Sequence, residues 1–396
     1  MISSFLLNKK KLCNGCSACF NICPKSCINM QEDAEGFVYP VVDSDKCINC
    51  NRCIEICPVI NKHYYSNDCS AYGAYNIDKD IQKASSSGGI FYLLAEHVIE
   101  KKGMVWGAMF DSAFNVIHGC VDDINSISKL MGSKYVQSNI GNSYNIIKKQ
   151  LEEKLYVLFV GTPCQVAGLK HFLGADYKSL YTVDLVCHGV PSPLVWRKYV
   201  QERNGCSIAN IAFRDKSISW RTYCLKFEYN DHTSAKETLI NDVFLQGFLQ
   251  DLYLRPSCYK CEFKTLSRYS DLTLADFWGI ENIYPDMDDN TGVSFIILQS
   301  DKGKNLFKAM KHKVVSRSVI INDVLQYNTS LVQSSKPNQL RKFFFNELNV
   351  ENTVNISALI KKYTKPDIQL KIYRAIANRV YRMKTYVLKR IERGNA

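Results

Sequence analysis

Two stretches constrain this chain more than anything else in it. Residues 13–24 read CNGCSACFNICP and residues 47–58 read CINCNRCIEICP. Each is Cys-x2-Cys-x2-Cys-x3-Cys-Pro, the spacing of thiolate ligands to 4Fe–4S cubes. Three thiolates on a short wound loop reach three corners of one cube. The fourth corner needs a ligand from elsewhere, and the proline turns the chain away. In a two-cluster arrangement the fourth cysteine of each run crosses over. Cys13, Cys16, Cys19 and Cys57 are then expected to hold one cube, and Cys47, Cys50, Cys53 and Cys23 the other. Zinc sites more often show paired Cys-x2-Cys elements, so doubled triplets ending in Cys-Pro argue for cubes. Cys27 lies outside both runs and reads as a small buried hydrophobe.

Residues 1–62 therefore read as a duplicated bacterial-ferredoxin module. The segment EGFVYPVVD (35–43) alternates as in a short hairpin. Such a module carries electrons and holds no catalytic group of its own. Nine of the 17 cysteines fall between Cys13 and Cys57, which favours metal or redox chemistry over a disulfide framework.

The remaining chain is too long for one small core, so further domains are expected at 70–150 and 151–340. With 46% hydrophobic and 22% charged residues it is globular. No apolar run is long enough to span a bilayer, and the first residues place an apolar patch before their lysines, the wrong order for a secretory signal. The expected location is the cytoplasm. Net charge is +12, but residues 341–396 hold thirteen Lys and Arg against four Asp and Glu. The body is nearly neutral, which argues against a nucleic-acid binder.

The body alternates strand and helix patterns. SAYGAYNID reads as a strand, and SSSGG (85–89) opens an apolar-striped helix. That loop suits either a helix cap or an anion cradle. Lys134, in GSKYVQS, is on its own an ordinary surface lysine. Gly-x-Gly-x-x-Gly and P-loop patterns are absent. LYVLFV (155–160) reads as a strand buried on both faces, followed by GTPCQ, a helix, and a second such strand at 180–186. This makes a parallel βαβ pair, with Cys164 and Cys187 at the carboxyl ends of neighbouring strands. RPSCYKCEF supplies Cys258 and Cys261, completing four thiols. Four thiolates suit a third cube or a zinc ion equally on ligand count. Cys164 as a nucleophile with His188 as base is the other reading, with no orienting acid evident.

Together, SSSGG, GSKYVQS, GTPCQVAGL, DLVCHGVPSP, FRDKSISW, CYKCEFK and SDLTLADFWG (270–279) resemble the beta-subunit family of coenzyme F420-reducing hydrogenases and dehydrogenases. The likeness covers residues 70–280, with Ala275 standing where the family pattern has glycine. It implies a third 4Fe–4S cluster on Cys164, Cys187, Cys258 and Cys261, and an FAD. The flavin would lie against Ser87, Gly88, Gly89, Ser133, Lys134, Tyr135, Gly161 and Thr162. It further implies a small-molecule or deazaflavin substrate, and an electron-carrier protein or partner redox subunit. The expected fold is α+β multidomain: a ferredoxin module, an α/β flavin and iron–sulfur body with a parallel βαβ core, and a basic helical tail at 341–396.

The expected activity is hydride exchange between substrate and FAD, with single electrons relayed through the clusters. The alternative is a non-catalytic electron-transfer subunit feeding a partner enzyme, with relatives in surface-polysaccharide gene neighbourhoods. In the tail, residues 366–396 are amphipathic and basic. Packing on the body with a solvated face is favoured over contact with an anionic membrane surface.

Overall fold

The computed structural model describes residues 9–62, 69–203, 207–350 and 355–364, together with Ile2 and Leu6. In the amino-terminal module, β1 (Ile28–Glu32) pairs antiparallel with β2 (Val38–Val42). The expected hairpin is present, but its first strand starts earlier than the alternation suggested. Asn29, Gln31 and Glu32 are polar on a largely exposed strand, so no apolar stripe marks it.

The body is built on an eight-stranded mixed sheet. Its strands are β3 (Ser70–Asn76), β4 (Met104–Phe110), β5 (Val116–Val121), β6 (Val157–Gly161) and β7 (Leu180–Leu185). A second sheet of three antiparallel strands follows: β8 (Ile208–Asp215), β9 (Cys224–Tyr229) and β10 (Ser234–Thr238). The chain then returns to the large sheet with β11 (Leu272–Asp276), β12 (Ser294–Leu298) and β13 (Val314–Val319), giving the order β13-β3-β12-β11-β7-β6-β4-β5. This sheet takes strands from both sides of residue 150. β4, β6, β7 and β11 run parallel, with Val157 opposite Leu180. All five residues of β6 are buried, as a continuous apolar run requires. Burying each of its large side chains contributes roughly 1.5–3 kcal/mol.

The strands place their chemistry at one edge. β4, β6, β7 and β11 end there, at Phe110, Gly161, Leu185 and Asp276. β3 ends there too, at Asn76, because it runs antiparallel to β12, which runs antiparallel to β11. Open α/β sheets bind ligands at such an edge.

Helices Arg341–Val350 and Ile356–Tyr363 are part of this body. Phe344, Phe345, Leu348, Ile356, Leu359 and Ile360 join the core around Trp196 and Phe244. The amphipathic 366–396 segment lies outside the described residues. No helix among the described residues is long and apolar enough to cross a membrane.

Polar contacts seat the module on the body. Arg341 forks onto Glu35 at 2.7 and 2.5 Å. Arg197 reaches Glu32 at 2.5 Å, and Asn21 donates to the Gly141 carbonyl and accepts from Asn145 Nδ2. The most enclosed contact is Arg255, which is 0% exposed. Its guanidinium donates to the Cys13 carbonyl (2.8 Å), the Val38 carbonyl (3.0 Å) and Gln137 Oε1 (2.9 Å).

Candidate functional site

Both cysteine runs of the module wind the same way. Gly15 and Ser17 have φ of 67° and 61°, and Asn49 and Asn51, at the matching places, have 55° and 59°. The left-handed region is costly for most residues but open to Gly and tolerated by Asn. Two such steps in each run carry three thiols round one cavity.

One cavity is lined by Cys13, Cys16, Cys19 and Cys57, with Met30, Pro40 and Val59. The other is lined by Cys23, Cys47, Cys50 and Cys53. The fourth cysteine of each run thus faces the other run's triplet. The first site is shielded: Cys16 is 8% exposed, while Cys50 in the second is exposed. Burial pushes the Cys16 and Cys19 thiols well up, and their neighbours Cys57 and Cys13 push further. The second cavity also holds Cys27, buried as expected but with its sulfur 3.3 Å from that of Cys23.

In the body, β6 ends at Gly161, and Thr162 caps helix Pro163–Leu173, its N–H donating to Gln165 Oε1 (2.9 Å). Cys164 is the second residue of that helix, where the dipole favours a thiolate. Cys187 follows β7, and Cys258 and Cys261 come from the turn at Pro256–Lys260 and its cap. Burial drives the Cys164 thiol well up, reinforced by Cys261, Cys187 and Cys258 beside it. Burial also raises Cys258 to about 12 and Cys187 to about 11. Four buried thiols gathered in this way suit a soft metal centre, which would supply the charge that holds them as thiolates. The Val190 N–H points at Cys258 Sγ (3.4 Å), and Thr162 Oγ1 lies 3.2 Å from Cys164 Sγ.

The nucleophile reading meets a different arrangement from the one expected. An orienting acid does exist, since Asp251 Oδ1 is 2.6 Å from His188 Nε2. Yet the His188 Nε2 that would act as base is engaged by that acid, while the thiols of Cys261, Cys187 and Cys258 and the Thr162 hydroxyl lie beside Cys164.

The two thiol clusters approach one another closely. A Cβ on Gly168, one turn after Cys164, would sit 2.9 Å from Cys16 Cβ and 3.0 Å from its sulfur. Four helical residues advance about 6 Å. One helix therefore carries a thiol of the body site at its start and rests on a thiol of the module one turn later.

A polar cluster at the same sheet edge collects the other motifs. Ser133 donates to Ser86 Oγ from its N–H (2.8 Å) and hydroxyl (3.1 Å). Arg214 donates to the Ser86 carbonyl (3.0 Å), Tyr135 Oη (3.1 Å) and Asp276 (2.8 and 3.3 Å). Trp220 Nε1 also donates to Asp276, and its ring stacks on Trp278 at 4.9 Å. Lys216 is held by the carbonyls of Gln82, Ser87 and Thr291. Burial lowers the Lys134 amine to about 7, and it donates to the carbonyls of Lys129, Met131 and Gly132.

Ser133 and Tyr135 thus join this cluster. Ser87 instead donates to the Val293 carbonyl, the Gly88 N–H goes to Ser294 Oγ, and Gly89 caps helix Ile90–Glu100. Gly161 and Thr162 pack by Gln165 and Cys164. The residues that residue-level reading misses are Ser86, Arg214, Lys216, Trp220, Asp276 and Trp278. Their signal is present in SSSGG, FRDKSISW and ADFWG, which stand out as motifs without assigning residue roles.

Residues 155–321 match the family model for the C terminus of the coenzyme F420 hydrogenase/dehydrogenase beta subunit. Residues 12–61 match that of the 4Fe–4S dicluster domain. A coenzyme F420-dependent sulfite reductase of Methanocaldococcus jannaschii is 24% identical over 196 residues, which cover 48% of this chain and 30% of that protein. The chain therefore spans less than a third of that relative. A chain of the xenon-derivatised F420-reducing NiFe hydrogenase complex from Methanosarcina barkeri aligns with a TM-score of 0.45 and 15% identity, over 73% of this chain and 94% of that one. Residues 155–321 are thus similar to the C terminus of coenzyme F420 hydrogenase/dehydrogenase beta subunits, with a segment similar to a 4Fe–4S dicluster domain ahead of it at 12–61.

Proposed function

We propose that this protein is an iron–sulfur flavoprotein oxidoreductase that links a two-electron substrate of deazaflavin type to a one-electron partner. The observation that carries this reading is the helix Pro163–Leu173, which joins the body's four-thiol site to the module at Cys16. The donor sets fit cubes: four cysteines line each module cavity, and four thiols sit together in the body.

The flavin reading rests on the cluster around Arg214. Its Nε is buried without a partner, beside two serine hydroxyls and a stacked tryptophan pair. When bound, FAD would supply hydride exchange and the cubes single-electron exchange. This chain's residues orient and insulate those groups. Arg214 and Ser133 would hold the flavin, and Cys164, Cys187, Cys258 and Cys261 would hold the body cube. The module's exposed Cys50 side is where a partner redox subunit or carrier would meet the chain.

Anaerobic reconstitution with iron, sulfide and FAD tests this directly. The expected content is about twelve iron atoms and one FAD per chain. Cys164→Ala is expected to lose about four of those irons while keeping the module's eight. Full iron in that variant would remove Cys164 from the ligand set. Arg214→Lys keeps a cation but loses the planar fork, and FAD affinity is expected to weaken at least about tenfold by fluorescence titration. Unchanged affinity would place the flavin elsewhere.

A further inference from the structure

Two cubes in the module use eight cysteines, and the module has nine. The ninth, Cys27, is 4% exposed and lines the cavity of Cys23, Cys47, Cys50 and Cys53. Its sulfur is 3.3 Å from that of Cys23, and the Cys47 thiol also bears on it. The backbone explains the approach. Cys23 closes helix Ala18–Ile22 in extended conformation, and Ser26, at φ 46°, donates its N–H to the Cys23 carbonyl (3.2 Å). This tight turn brings Cys27 back beside Cys23. The Cys27 carbonyl then accepts the Asp43 N–H (2.7 Å), pinning it at the base of the β1–β2 hairpin. A thiol serving only as packing has no need to share a cavity with four others.

We propose that Cys27 is a reserve ligand of this second site, taking the fourth corner when Cys23 does not hold it. The inference rests on the reading that Cys23, Cys47, Cys50 and Cys53 hold a cube. One rotamer step of a cysteine moves its sulfur by about 3 Å, comparable to the separation of the two sulfurs. The exchange is a ligand substitution without redox change. The iron bond to Cys23 breaks and that sulfur takes a proton; the Cys27 thiol gives up a proton and forms the new iron bond. The site is the outward one, with Cys50 exposed and Ile48 57% exposed, so its ligands are the ones solvent oxidants reach.

The test uses the full chain, reconstituted anaerobically as wild type, Cys23→Ala, Cys27→Ala and the double variant. Iron and sulfide are counted, and the reduced proteins are compared by electron paramagnetic resonance. Wild type and Cys27→Ala are expected to hold equal iron. Cys23→Ala is expected to keep that iron with a shifted resonance, and the double variant to lose about four irons. Loss of four irons from Cys23→Ala alone overturns the inference, as does a double variant that keeps them. Cys23→Ser preserves side-chain size should the alanine variant misfold, and it is expected to give the same shifted resonance. Wild-type protein lacking two module cubes would instead sink the underlying reading.

Discussion

Gly168→Val is expected to strip the shielded module site of its iron, about four atoms per chain, and to slow electron exchange between body and module. In an ordinary helix the loss of glycine is favourable, because Gly is about 1 kcal/mol worse than Ala in a helix interior. Here the contact decides the sign. A Cβ at position 168 already lies 2.9 Å from Cys16 Cβ and 3.0 Å from both Cys16 Sγ and Tyr144 Oη. Real Cβ atoms do not sit that close, and valine adds two methyl groups to the conflict. Neither side can yield easily. Cys16 is fixed in a loop with left-handed residues on both sides, and Tyr144 is buried with its hydroxyl on the Gln165 carbonyl (2.8 Å). Overpacking of this kind costs about 1–3 kcal/mol, more than the helix gains. Gly107→Ala is the control, since the nearest atoms its Cβ would meet are those of Leu130, at 3.6 Å or more. Iron analysis and stopped-flow reduction of both variants check the prediction. A Gly168→Val protein with full iron and unchanged transfer rate would mean that the helix does not set the approach of the two sites.

The parts of this arrangement that were legible in the sequence are local ones. The cysteine runs declare themselves by spacing, β6 by an unbroken apolar run, and β7 by an apolar run interrupted by Thr182 and Asp184, with a helix between them. The edge position of Cys164 follows from the same pattern, because a helix that starts after a buried parallel strand starts at the strand's carboxyl end. What was not legible depends on pairs far apart in the chain. Arg214 and Asp276 are 62 residues apart, and Arg255 and Cys13 are 242 apart. No local period encodes such a meeting. His188 and Asp251, 63 residues apart, show the same limit from the other side: the acid that sequence reading could not find was there, on another element. Cys27 is a subtler case. Its burial was readable from residue type, but its direction was set by the left-handed Ser26. Ser87 and Gly88, which the family resemblance places at the flavin, bond to Val293 and Ser294, partners 206 residues away that no local period encodes.

Arg255→Met is expected to destabilise the protein by roughly 3 kcal/mol or more and to lower the reduction potential of the shielded module cube. The side chain is 0% exposed, and among the described residues no carboxylate pairs with it. A buried guanidinium without an anion is costly, so its setting matters. Its three acceptors are the Cys13 carbonyl, the Val38 carbonyl and Gln137, and its plane lies over Tyr39 at 4.3 Å. The nitrogen that donates to Val38 also lies 3.9 Å from Cys13 Sγ. A thiolate-bound cube at that site would provide the missing negative charge. Methionine keeps much of the volume but leaves three acceptors unsatisfied, at roughly 1–3 kcal/mol each before relaxation. The electrostatic effect has its own sign. Reduction adds an electron, so removing a nearby cation disfavours the reduced cube and the potential falls. Arg255→Lys separates the two contributions: it restores charge but not the three-way fork, so potential should recover more than stability. Denaturant unfolding and redox titration followed by electron paramagnetic resonance measure each quantity. A Met variant with unchanged potential would show that the cube does not feel Arg255, and so that the cation is balanced by some other group.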